Sequence, residues 1–105
     1  KEGYLNEERY SASFCRGKFR INKWGKIKIH SELKKKNISS TYITKGLQQI
    51  NDSEYQEELN KQYHKKKKTI KEKNNFKKKR KIAAFLISRG FESDLVWEKI
   101  NAEEK

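Results

Sequence analysis

Two stretches of this chain, fifty-three positions apart, end in the same way. In Lys23 to Ile38, KWGKIKIHSELKKKNI, Ile29 and Leu33 stand four apart and share one face of a helix. Lys34, Lys35 and Lys36 then fall in the last turn, where cations suit the carbonyl end of the helix dipole. Asn37 supplies a left-handed residue and Ile38 the apolar contact of a Schellman ending. In Lys77 to Phe91, KKKRKIAAFLISRGF, Ile82 takes the place of Ile29, Leu86 of Leu33, Gly90 of Asn37 and Phe91 of Ile38. The match continues into the next helix, with Val96 on Ile43 and Ile100 on Leu47. Agreement in the stop signal as well as the apolar stripe predicts an internal repeat.

A repeat of short helices also suits the composition. Only 32% of the 105 residues are hydrophobic and 39% are charged, so no thick core can form. Stacked small units solve this by letting each cover its neighbour's apolar face. The chain has no proline to break helices. The expected fold is all-α, an elongated stack of two three-helix repeats, residues 1–50 and 51–105.

Local signals set the expected bounds. Asn6 caps a first helix that fades near Gly17, with Ile21 to Lys23 as a connection. The second helix spans Lys26 to Lys36, and Ser39 or Ser40 caps the third. Ser53 and Gln56 have capping-box spacing at the start of a fourth helix that reaches Lys71 or beyond. Asn74 and Asn75 break the chain before a fifth helix, Lys77 to Arg89, and Ser93 caps a sixth.

Lysine and arginine outnumber acids by thirteen, which points to an anionic partner. The excess is concentrated. Arg16 to Lys36 holds nine basic residues against Glu32, and Lys61 to Lys81 holds twelve against Glu72. Arg16, Lys18, Arg20, Lys23 and Lys28 are interleaved with Phe19 and Trp24, a mixture that suits phosphates and stacked bases or a protein hot spot. Trp24 reads equally as a plug between the first two helices, and Trp97 as a half-exposed contact. The run Lys65 to Lys68 reads equally as a solvated face.

Little points to catalysis. His30 and His64 are isolated, with no ligand-spaced partner, so no metal or other cofactor is expected. Cys15 has Arg16 beside it to lower its pKa, or is a small semi-buried filler. No phosphate loop or nucleophile elbow is present, and the chain reads as a non-enzyme.

Three segments resemble the RecX family of bacterial regulators of the recombinase RecA. These are GYLNEERYSASF (Gly3 to Phe14), WGKIKIHSELKKKNI (Trp24 to Ile38) and KRKIAAFLISRGFESDLVWEKI (Lys79 to Ile100). The family is similar in having tandem three-helix repeats, commonly three, so the resemblance implies that the first is absent here. This chain departs from the pattern with Lys26 in place of a common proline, Ile27 in place of a basic residue and Asn37 in place of glycine.

The resemblance implies a regulator, an inhibitor, of RecA that binds the RecA–DNA filament as a cytoplasmic monomer. Arg16, Lys18, Arg20, Lys28, Lys34, Lys35, Arg80 and Arg89 are the candidate contacts. Charge alone adds weak, non-specific binding to single- or double-stranded DNA, and a non-specific DNA-binding module is the alternative reading. A helix-turn-helix reading of the second and third helices is weakened because Thr41 to Ile50 carries only Lys45 as a cation. A membrane-surface role for Lys65 to Lys81 lacks an apolar insert beside the run, so no membrane partner is expected.

Overall fold

The computed structural model describes residues 6–103. Gly3 to Leu5 of the first resembling segment, and the chain beyond Glu103, lie outside the described residues. Over the described residues the protein is all-α, with six α-helices joined by short connections into a body more than twice as long as it is wide. The helices are α1 (Glu7–Gly17), α2 (Lys26–Lys35), α3 (Ser40–Leu47), α4 (Asp52–Thr69), α5 (Asn75–Ser88) and α6 (Ser93–Glu103).

Helix starts are fixed by side chains that accept otherwise unpaired amide protons. Asn6 Oδ1 accepts from the Arg9 amide at 3.1 Å, and Ser39 Oγ lies 3.5 Å from the Tyr42 amide. The cap of α4 is Asn51, which accepts from Glu54 N at 3.0 Å, and not the expected Ser53. Starting there keeps Asp52 and Glu54 in the first turn, where the helix dipole favours acids. Asn74 caps α5 in the same way, so that helix begins two residues before Lys77. Ser93 is the first residue of α6 rather than its cap.

The duplicated stop signal is present twice in the backbone. Asn37 has φ 63° and Gly90 has φ 101°, both left-handed. The Ile38 amide donates to Leu33 O and the Phe91 amide to Leu86 O, each at 3.2 Å, as a Schellman ending requires. Ile29, Leu33, Ile43, Ile82, Leu86 and Val96 are all fully buried, so corresponding stripes of the two units face the core.

Helix α1 ends at Gly17 as expected, but the connection after it is a π-helical turn, Lys18–Asn22, which buries Phe19. That turn stops at Lys23, itself left-handed with φ 61°. Helix α4 ends at Thr69, short of Lys71, and Ile70 leaves it in an extended conformation.

The first helices of the two units pack differently. Helix α1 lies close along α3 because Gly46 has no side chain: a Cβ there would come within 2.9 Å of Cys15 Sγ and of Ser11 O. The position fifty-three residues later is Lys99, too large for so close an approach, and its ammonium pairs with Glu103 at 3.2 Å. Helix α4 packs mainly on α5, with a groove beside it.

The units meet where α2 begins. A Cβ on Gly25 would lie 2.2 Å from the Gly90 carbonyl carbon, so only glycine lets these backbones touch. The Gly25 amide donates to Arg89 O and the Ile27 amide to Gly90 O, both at 2.8 Å. Between them, the Lys26 amide donates to the Tyr55 hydroxyl at 2.9 Å. A proline at position 26 could not make that bond, so Lys26 has a physical reason to stand there. The Tyr55 hydroxyl donates in turn to Glu92, and its ring packs between Phe19 and Phe91 at 5.7 and 5.3 Å.

Candidate anion-binding face

The π-helical turn after α1 brings Lys18 and Trp24 against the side of α2. Lys18 Nζ lies 5.4 Å from the centre of the Phe14 ring and 5.2 Å from that of Trp24. Lys28 Nζ lies 4.9 Å from Trp24, and Lys36 Nζ 5.9 Å from Phe14. The result is an alternating row of Lys36, Phe14, Lys18, Trp24 and Lys28. Each ring attracts the ammonium groups above it through its quadrupole, by about 0.5–1 kcal/mol per contact at an exposed site. The row therefore holds positive charge in fixed positions without neutralising it.

Trp24 is half-buried, with its body on the core and its ring between two ammonium groups, so it is not a simple plug. Trp97 is also half-buried.

The remaining sequence-predicted residues separate into three groups. Arg16 at the end of α1, Arg20 on the π-helical turn and Lys34 on α2 are exposed, as is Lys35, which pairs with Glu32 at 3.2 Å. These share the first unit with Lys18 and Lys28. Arg80 belongs to the second unit and sits 5.7 Å from the exposed ring of Phe76. Among the described residues, no carboxylate lies within ion-pair distance of Arg16, Lys18, Arg20, Lys28, Lys34 or Arg80.

Arg89 is different. Its guanidinium donates to Asn22 O at 2.7 Å and approaches Gln62 Oε1 at 3.4 Å, so it is engaged in the junction between the units. Its charge caps the carbonyl end of the π-helical turn, a structural task that sequence position alone did not reveal.

Charge at the start of α5 is partly offset from outside the helix. Lys81 Nζ donates to Glu72 at 3.2 Å, and the Asn74 amide donates to the same carboxylate. Together they hold the Glu72 carboxyl below its ordinary range. Lys45 of α3 lies 4.0 Å from Glu8, which leaves that helix still poorer as a groove reader.

Cys15 is fully buried between α1 and α3, and burial pushes its thiol up to about 11. The expected lowering by Arg16 is present but smaller than the cost of putting a thiolate in an apolar site. His30 and His64 are exposed, His64 lying edge-on to Tyr63.

Sequence reasoning missed Lys36, which read only as a helix-end cation, and left the run Lys65 to Lys68 between a contact and a solvated face. On α4, Lys61, Lys65 and Lys66 line a groove of about 580 Å³ with Phe85 across from them.

Two family models match the chain. One, described as RecX, second three-helix domain, covers residues 6–47, and the other, RecX, third three-helix domain, covers residues 52–100. The chain belongs to the RecX family. No curated protein and no solved structure gives a match. The two matched segments are the two halves that meet at Gly25 and Gly90. RecX is a family of regulatory proteins. No helix among the described residues is long and apolar enough to cross a membrane.

Proposed function

We propose that this protein is a regulator of RecA that binds the RecA–DNA filament and lowers its ATP hydrolysis and strand exchange. The observation that carries this reading is the pair of RecX domain matches over residues 6–47 and 52–100. The geometry supports it. A long, narrow body offers a surface suited to lying along a filament, with residues 1–50 and 51–105 as two working units. On the first unit, Arg16, Lys18, Arg20, Lys28, Lys34 and Lys35 form the contact face, with Lys36 extending the aromatic row. Exposed ammonium groups held over aromatic rings meet acidic protein surfaces with little ordering cost. Arg80 extends the contact onto the second unit, while Arg89 serves the junction between them.

The protein acts as a monomer in the cytoplasm, where RecA works, without cofactor and without catalysis of its own. Sequence-specific groove reading through α3 has no support, since its one cation already faces Glu8. The test is ATP hydrolysis by RecA on single-stranded DNA with this protein titrated in. A dose-dependent fall is expected, and an unchanged rate at micromolar excess defeats the proposal.

A further inference from the structure

Helix α5 has two apolar faces, and only one of them lies inside the protein. Ile82, Ala83 and Leu86 are buried in the core. On the other side Phe76, Arg80, Ala84 and Ile87 follow at intervals of four, four and three residues, which sets them in line along the helix. All four are exposed, Phe76 by 67% and Ile87 by 41%, in a chain of which only 32% is hydrophobic. Single apolar residues in water need no explanation, but a line of them along one helix marks a docking surface.

The line is already partly ordered. The Arg80 guanidinium lies 5.7 Å from the centre of the Phe76 ring and holds it against the helix. From Phe76 to Ile87 the line runs about 16 Å along the axis, some three turns. Past Ile87 the chain turns at Gly90, whose carbonyl accepts from the amide of Ile27, another exposed apolar residue.

Charge says what covers this face. No acid occurs from Asn75 to Ser88, and Lys77 and Arg80 are exposed beside the line. Glu72, from outside the helix, answers Lys81. Cations at this end of α5 oppose the helix dipole, a cost that carboxylates brought by a partner relieve. A second copy could not bring them, because α5 laid on α5 in either direction sets one acid-free helix against another. A nucleic-acid strand could use the cations, but Ala84 and Ile87 offer no ring for a base and one side of Phe76 is taken by Arg80. Apolar groups three and four apart, rimmed by cations, are the complement of a helix whose apolar stripe is flanked by acids.

We infer that the outward face of α5 docks an acidic amphipathic helix of the protein partner, with Phe76 and Ile87 as apolar anchors and Lys77 and Arg80 meeting its carboxylates. That partner is RecA, an identity that rests on the regulatory reading above. Arg80 already belongs to that contact, and the two anchors give it a hot spot that the charge of the chain does not reveal.

Both anchors are exposed, so replacing them leaves the core intact. ATP hydrolysis by RecA on single-stranded DNA is titrated with the full chain, with a double variant Phe76→Ser and Ile87→Ser, and with a double variant Phe76→Leu and Ile87→Leu that keeps the face apolar. Far-ultraviolet circular dichroism checks that each is folded. The serine variant is expected to need roughly tenfold more protein for half-inhibition. The leucine variant is expected to stay within about threefold of wild type, as apolar swaps of similar volume do. Binding of a fluorescein-labelled oligothymidine, followed by anisotropy without RecA, is expected to be the same for all three.

Equal half-inhibition by wild type and the serine variant overturns the inference and leaves the regulatory reading standing. No inhibition by wild type defeats that reading and, with it, the partner named here. Weaker oligothymidine binding by the serine variant would make Phe76 a stacking platform for bases. A wild-type dimer that the serine variant loses in sedimentation velocity would make the occupant a second copy. Either result overturns the acidic helix.

Discussion

Gly25→Ala tests the junction that makes two small units one protein. The new Cβ would stand 2.2 Å from the Gly90 carbonyl carbon and 2.3 Å from Phe91 N, where ordinary contact needs about 3.5 Å. Both neighbours are backbone, so no side chain can rotate away and the units must part by about 1 Å. That movement stretches the 2.8 Å bonds from Gly25 to Arg89 and from Ile27 to Gly90 beyond hydrogen-bonding range. It also pulls the Lys26 amide from the Tyr55 hydroxyl. Three lost bonds, at about 1 kcal/mol each and more where a donor stays buried, give a loss of about 3–5 kcal/mol. That is a large share of the 5–15 kcal/mol typical of a whole domain. Urea unfolding followed by tryptophan fluorescence and circular dichroism measures it, since Trp24 and Trp97 report on different units. The variant is expected to unfold earlier and with the two probes no longer coincident. A loss below about 1 kcal/mol with coincident probes would refute the reasoning.

Other outcomes follow from neighbouring features. Gly17→Ala is expected to raise stability by about 0.5–1 kcal/mol in the same unfolding assay, because Gly17 is helical with open space around its Cβ direction. Tyr55→Phe removes the acceptor of the Lys26 amide and the donor to Glu92, and is expected to cost about 1–3 kcal/mol. The Cys15 thiol is near 9.0 when free and about 11 when folded, so it favours the native state fully below pH 9. That contribution is lost as pH rises from 9 to 11, by about 3 kcal/mol in all. Cys15→Ala is accordingly expected to show a shallower loss of stability over that interval.

The parts of the fold legible in the sequence were those decided within a few residues. A left-handed asparagine or glycine followed by an apolar residue is a local device, and both copies occur where the pattern put them. Capping was legible in kind but ambiguous in place, because Asn51 with Glu54 offers the same chemistry as Ser53 with Gln56 and starts the helix sooner. Contacts between units were not legible. The segment Trp24-Gly25 was visible as a motif, yet its reason is the backbone of Gly90, sixty-five residues away. The same distance hid Arg89, whose charge pointed outward in the sequence and whose guanidinium binds Asn22 O in the structure. The groove that Lys61, Lys65 and Lys66 line was hidden for the opposite reason. A lysine run looks the same whether it faces open water or lines a groove.

The most direct test of the account is the rate of ATP hydrolysis by RecA on single-stranded DNA in the presence of wild-type protein and of a variant with Arg16, Lys18, Arg20 and Lys28 all changed to glutamine. The account predicts a dose-dependent fall with wild type and a curve displaced to roughly tenfold higher concentration with the folded variant, about 1.4 kcal/mol of lost binding. Superimposable curves for the two proteins, or no fall with either, would contradict it.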